Sequence, residues 1–212
     1  MKKIAAVFAH PDDLEIWAGG TIKKHLGFGD QVRSYVFFEI NDTRKAENDR
    51  AMALLGIEVD YVFTPPYQAP DFEGFIASHT DIPDLIITHW NEDTHLEHQL
   101  VFSFSLLWAH HLKRYRKQPP ILLMASSYTA QGYSSAFNPS IIIDISDQME
   151  AKKAFILCHQ SQKPEKILTD VTAQNTLLGI QVKTPYAEGF LEYPLFGYKK
   201  TALRNSFRDF ID

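Results

Sequence analysis

The chain has 212 residues, 45% of them hydrophobic and 22% charged, with a formal net charge of −5. That suffices for one domain, 1–212, with a full core, and its dispersed acidity offers no basic stripe to nucleic acid or an anionic membrane. The lone Cys158 excludes an internal disulfide and fits a reducing cytosol, and no apolar stretch approaches membrane-spanning length.

Residues 3–9 form a continuous apolar run, which predicts a buried strand rather than a half-exposed one. After Lys2 and Lys3 that run is cut by His10-Pro11-Asp12-Asp13, too early for a secretory signal core, so the expectation is a cytoplasmic protein. A helix is predicted over 13–26, with Ile16, Trp17, Ile22 and Leu26 on a shared face and Gly27 as its cap. Residues 31–40 are β-branched and aromatic and predict a second strand. Asn41-Asp42-Thr43 then offers capping side chains to a helix ending at Gly56. A third strand is expected over 59–63, a loop with a short helix over 66–83, and a fourth buried strand over 84–89. The polar stretch Trp90-Asn91-Glu92-Asp93-Thr94-His95-Leu96-Glu97-His98 leads into an apolar helix carrying Leu100, Phe104, Leu107, Trp108 and Leu112. Further strands are predicted over 121–125 and 140–145, a helix from Ser146 or Asp147 through His159, and a tail from Pro164 that is helical and then irregular.

Strands alternating with helices of this length imply an α/β, Rossmann-like, mostly parallel sheet with helices on both faces. The turn after the first strand nevertheless lacks the glycine fingerprint of dinucleotide binding. It carries acids, which repel a pyrophosphate and suit a cation.

Two loops concentrate possible ligands. The first holds His10, Asp12, Asp13 and Glu15; the second holds His89, Glu92, Asp93, His95, Glu97 and His98. If both follow central parallel strands, they emerge on one edge of the sheet. A catalytic zinc takes three protein ligands from histidine and carboxylate and leaves one position for water. His10 and Asp13 with His98 supply that set. Of two adjacent carboxylates, one coordinates while the other takes a proton from the activated water. His95 is placed to donate a hydrogen bond to an oxyanion or to protonate a leaving amine, and Glu97 to orient an imidazole. The plainer reading of His10-Pro11-Asp12-Asp13 is a capped helix start with acids in its first turn. His25, His79, His110, His111 and His159 read as surface or core histidines, and His89 is left open beside the pocket.

Ala9-His10-Pro11-Asp12-Asp13-Leu14-Glu15 resembles the signature of the PIG-L/LmbE-like deacetylases, zinc-dependent enzymes acting on N-acetylglucosamine-type sugars. The likeness continues through Arg44-Lys45-Ala46-Glu47, Thr94-His95-Leu96-Glu97-His98, Phe137-Asn138-Pro139, Asp144-Ile145-Ser146, Lys152, His159-Gln160-Ser161-Gln162 and Tyr186-Ala187-Glu188-Gly189-Phe190. It implies His10, Asp13 and His98 as metal ligands, Asp12 as general base and His95 as the group at the tetrahedral intermediate or amine. It also carries Arg44, Glu47, the segment 159–162 and Glu188 as substrate-end candidates, while Arg44 and Glu47, at i, i+3, read equally as a structural ion pair. The chain departs from the family in holding Leu96-Glu97 where Pro-Asp is usual between the two histidines.

The expected activity is therefore removal of an N-acetyl group from an amino-sugar small molecule by metal-activated water. Trp90, Tyr67, Tyr128 and Tyr133 are candidate faces for the sugar ring, with substrate choice residing in loops 64–83 and 126–139. Zinc is the expected metal, and iron(II) fits the same ligands. Two rivals are a two-histidine, one-carboxylate iron(II) oxygenase and a non-catalytic sugar-binding protein on the same fold.

Overall fold

The computed structural model describes residues 1–115, 119–128 and 130–195. In chain order it comprises β1 (Lys3–Phe8), α1 (Asp13–Gly27), β2 (Gln31–Val36), α2 (Asp42–Leu55), β3 (Glu58–Tyr61) and α3 (Phe72–Ser78). These are followed by β4 (Leu85–Thr88), α4 (Leu96–Leu112), β5 (Ile121–Ala125), β6 (Ile141–Asp144), α5 (Met149–Ile156), α6 (Pro164–Val182) and β7 (Ala187–Glu192). One seven-stranded sheet runs in the order β3-β2-β1-β4-β5-β7-β6. Every pairing is parallel except those of β7, which runs antiparallel to both β5 and β6.

The continuous apolar runs of β1, β4 and β5 follow from burial on both faces. Ile4, Ala6 and Phe8 point into one core with Leu14, Ile16 and Ile22 of α1, Met52 of α2 and Phe155 of α5. Ala5 and Val7 point into the other, against Phe75 of α3 and Val101, Phe104 and Trp108 of α4. No helix among the described residues is long and apolar enough to cross a membrane.

Local signals set several boundaries. The Asn41 side chain accepts from the Arg44 backbone N–H and starts α2, which ends at Gly56 in the left-handed region (φ 84°). Gly27, expected as a cap, is instead the last residue of α1, and the chain turns at Phe28 and Gly29 (φ 80°). The single helix expected over 146–159 is a 3-10 turn (Ser146–Gln148) followed by α5, which leaves His159 in a second turn. The tail expected to be irregular contributes β7; two glutamates and a glycine in Ala187–Glu192 hid the strand, one of them buried opposite a lysine. From residue 196 onward the expected tail lies outside the described residues.

Candidate metal centre

From β1 the chain passes to β2 and β3 on one side, then returns to place β4 on β1's other flank. Ligands bind in open α/β sheets at such a reversal, beyond the carboxyl ends of the strands. The register pairs Val7 with Thr88, so the turns leaving β1 and β4 emerge side by side. They carry the two acid- and histidine-rich segments.

The first turn is not an ordinary capped start. Asp12 precedes α1 with φ 110°, a left-handed conformation rare outside glycine, and its side chain makes no capping hydrogen bond. Asp13 Oδ2 instead accepts from the His10 backbone N–H at 2.8 Å, folding the turn back on itself. On the second turn, His95 stands at the N-terminus of α4, while Glu97 and His98 occupy its first turn and are buried.

Three ligand atoms converge. His10 Nδ1 lies 3.2 Å from Asp13 Oδ2 and 3.3 Å from His98 Nε2, and His98 Nε2 lies 3.6 Å from Asp13 Oδ2. Ligands tetrahedrally arranged about 2.0–2.1 Å from zinc stand roughly 3.4 Å apart, so the triangle has the size such an ion requires. The outward nitrogens are also fixed: His10 Nε2 is 2.7 Å from Glu97 Oε2, and His98 Nδ1 is 2.7 Å from Asp93 Oδ2. When both neutral rings donate to those carboxylates, two lone pairs and an anionic oxygen face one another. Only a positive charge relieves that arrangement. The residues therefore fit a divalent cation held by histidines with carboxylate partners.

Titration reflects the same demand. Burial opposes charge on His10, yet Asp13 and then Glu97 overcome it and raise its pKa to about 9. Burial likewise opposes ionisation of Asp13, but His98, His89 and the His10 hydrogen bond hold its carboxyl well below the usual range. Asp12 behaves oppositely: burial and the Asp13 charge outweigh Arg44 and push it up to about 7. A carboxylate titrating there suits proton transfer at neutral pH.

Arg44 of α2 reaches across to Asp12 Oδ1 at 3.1 Å and to the Pro11 carbonyl at 2.5 Å, and also pairs with Glu39. Arg44 and Glu47, read from sequence as a pocket pair or a mutual i, i+3 ion pair, go separate ways. Glu47 accepts from the Ser161 backbone N–H and hydroxyl, at 2.8 and 2.7 Å. Glu15 accepts from or shares a proton with His159 Nε2 at 2.9 Å, both fully buried.

No family model matches the sequence. Solved structures with a similar course include an N,N'-diacetylchitobiose deacetylase from Pyrococcus horikoshii (TM-score 0.73, 20% identity, covering 94% of this chain and 86% of that one). A deacetylase of teicoplanin biosynthesis aligns at TM-score 0.68 and 12% identity over 91% and 99% of the two chains. The fold is that of the PIG-L/LmbE-type deacetylases. It is shared by a 4-carboxy-2-hydroxymuconate hydratase from Pseudomonas putida KT2440, at TM-score 0.77 and 20% identity over 94% and 99%.

Within this fold, other candidates stand differently from their sequence reading. His89 Nε2 accepts the Ala9 backbone N–H at 2.8 Å, which uses its lone pair, and its ring stacks on His98 at 3.8 Å between centroids. Burial, then the His98 charge, lowers its pKa to about 4 and keeps the ring neutral, and although its ligand atom lies within 4.8 Å of those of Asp13 and His98, the Nε2 lone pair is taken by the Ala9 hydrogen bond. His95 is exposed and stacks on His98 at 4.5 Å, and its ring nitrogen falls within 4.8 Å of those of His10 and His98. Burial, then the charges of His98 and His10, lowers its pKa.

Trp90 is a correction: it is buried edge-on against Phe137 and has no face to offer a sugar. So is Glu188, which is buried 2.6 Å from Lys152 Nζ and accepts from the Gly20 and Thr21 backbone N–H groups, holding α1 to α5. Tyr128 is partly exposed, packs on Trp17, and has its hydroxyl pKa raised by desolvation and then by the Asp12 and Asp13 charges. His25 pairs with Asp30, and His79 stacks on Phe75, as structural histidines do. Two participants escaped the sequence reading as individuals. Asp93 was one acid among several in a polar loop, and Glu39 had no motif to mark it.

Proposed function

We propose that the protein is a metal-dependent hydrolase that removes an N-acetyl group from an amino sugar. The observation that carries this reading is the triangle of His10, Asp13 and His98 atoms with buried Asp12 beside it, on the fold of known deacetylases. A zinc or iron(II) ion held by those three atoms would polarise an acetyl carbonyl and acidify a water.

The chain's own groups supply the rest. Asp12 takes the proton of the attacking water, and Arg44 holds its Oδ1 at 3.1 Å. His95, exposed at the helix start, meets the oxyanion and returns a proton to the departing amine. Glu97 and Asp93 hold the imidazoles of His10 and His98 in the ligating tautomer. Acetate and a free amine are the products.

The test is acetate release from N-acetylglucosamine and its glycosides by metal-loaded protein, beside Asp12→Asn. Acetate from the native chain, reduced about 100-fold or more in the variant with metal content unchanged, is the expected result. Full activity of Asp12→Asn would remove it as base. The hydratase that shares the fold motivates a second reading, water added to a carbon–carbon double bond by the same centre. An unsaturated tricarboxylic acid consumed while every amide stays intact would favour it.

A further inference from the structure

We propose that the turn 65–68, between β3 and α3, belongs to the metal centre. The Tyr67 backbone N–H holds Glu97 and Glu97 holds His10, which makes Tyr67 a positioning residue for a metal ligand. The proposal rests on the metal centre of the deacetylase reading and not on its substrate.

Two hydrogen bonds to one carboxylate carry it. The Tyr67 N–H donates to Glu97 Oε1 at 3.2 Å, and Glu97 Oε2 lies 2.7 Å from His10 Nε2. The other nitrogen of that ring, Nδ1, is one of the three converging ligand atoms. Glu97 thus bridges a loop amide and a ligand imidazole, and at 4% exposure little water competes for either oxygen. A glutamate side chain is long and rotates freely, so contact at one oxygen leaves the carboxylate able to swing. The Tyr67 N–H fixes the second oxygen.

The backbone is shaped for that contact. Beyond β3 the chain stays beside the exit of β2, with Val62 N–H donating to the Val36 carbonyl at 2.8 Å and Thr64 N–H to that of Phe37 at 3.1 Å. Gln68 N–H then closes a four-residue turn on the Pro65 carbonyl at 3.2 Å, with Pro66 second and Tyr67 third. Tyr67 has φ 58°, a left-handed value that such a turn normally gives to glycine or asparagine. Its ring is 71% exposed, so side-chain packing does not hold the backbone there. The acceptor accounts for the conformation, because it directs the N–H at a buried carboxylate oxygen. Phe63, Thr64 and Pro66 of the same segment wall the cavity beside Arg44, so the chain that faces this cavity also steadies a metal ligand.

The test measures zinc affinity by chelator competition for Tyr67→Gly and Tyr67→Val, each in the native and Glu97→Asp backgrounds. Tyr67→Gly keeps the N–H and accepts positive φ, and should bind zinc within about twofold of the native chain. Tyr67→Val opposes that φ and should bind about fivefold more weakly. In Glu97→Asp the shorter carboxylate cannot span both partners, so Tyr67→Val should there cost less than about twofold. Independently, amide exchange at Tyr67 in the zinc-free native chain should be at least about tenfold slower than in zinc-free Glu97→Ala. Equal loss from Tyr67→Val in both backgrounds, native affinity in Tyr67→Val, or unchanged exchange in Glu97→Ala overturns the proposal. A native chain that holds no zinc overturns it together with the metal centre. Zinc bound as expected, with no acetate from any amide, supports it and overturns the deacetylase reading alone.

Discussion

His10 Nδ1 and His98 Nε2 face each other at 3.3 Å, and the far nitrogen of each ring is 2.7 Å from a carboxylate, Glu97 for His10 and Asp93 for His98. The pairing fixes which nitrogen of each ring is free to ligate. Removing either carboxylate's charge should weaken metal binding without unfolding the chain. Glu97→Gln and Asp93→Asn are each expected to lower metal affinity about 10- to 100-fold, read by competition with a chromogenic chelator. The longer Glu97, in place of the usual aspartate, already reaches its imidazole, so Glu97→Asp should weaken the metal as well.

Lys152 and Glu188 form an ion pair at 2.6 Å with essentially no exposure, and Glu188 also accepts two backbone N–H groups of α1. Burial lowers the Lys152 pKa, while Glu188 opposes that shift. Lys152→Met leaves the carboxylate buried with only the amides, and Glu188→Gln leaves the ammonium without its counter-charge. Each single change should cost roughly 3–5 kcal/mol in urea unfolding, and the double change Lys152→Met/Glu188→Leu less than the sum of its parts.

Much of this was legible in the sequence where local chemistry was self-sufficient. The apolar runs of β1 and β4 and the Asn41 and Gly56 punctuation of α2 are local signals, and the structure follows them. The fold class needed only their alternation. What failed depended on partners far along the chain. Glu188 looked like a pocket acid because nothing nearby reveals Lys152, 36 residues away. β7 looked irregular because Glu188 is offset by its tertiary contact with Lys152 rather than by alternation. Arg44 and Glu47 looked like each other's partners until α2 met Asp12 on one side and Ser161 on the other.

Gly20 sits where α1 crosses Ile145. A Cβ there would lie 2.8 Å from two Ile145 carbons and 2.9 Å from a third. Ile145 is fully buried and has little room to yield. Gly20→Ala should therefore destabilise by roughly 1–3 kcal/mol despite the better helix propensity of alanine. Combining it with Ile145→Val should recover part of that loss, a coupling visible in thermal midpoints.

His25 lies far from the metal centre and gives a clean pH dependence. Burial lowers its pKa below the ordinary 6.5, with the Asp30 hydrogen bond opposing and Lys24 assisting. The folded chain thus binds fewer protons at this ring than the unfolded chain. The associated stability is present above about pH 6.5 and is lost as pH falls from there through the folded-state pKa. His25→Gln should lose less stability than the native chain between pH 7 and pH 5, measured by urea unfolding at each pH.

The turn carrying His159 and Ser161 grips two helices at once. His159 meets Glu15 of α1 at 2.9 Å, and Ser161 meets Glu47 of α2 through its N–H and hydroxyl. Three residues before Glu15 stands Asp12, and three before Glu47 stands Arg44, the two groups that pair at 3.1 Å. The turn therefore bears on both helices one turn along from the Asp12–Arg44 pair, and is expected to set their spacing. Ser161→Ala removes one of the two hydrogen bonds to Glu47, a change worth about two- to tenfold in rate if the spacing matters. The expected outcome is a fall in kcat of that size with KM and metal content unchanged. Because Arg44 pulls the Asp12 pKa down, a looser pair should also move the acid limb of the kcat–pH profile to higher pH. Ser161→Thr, which keeps the hydroxyl, should restore both. A drop in thermal midpoint with kcat and the pH profile intact would show that the turn only braces the helices.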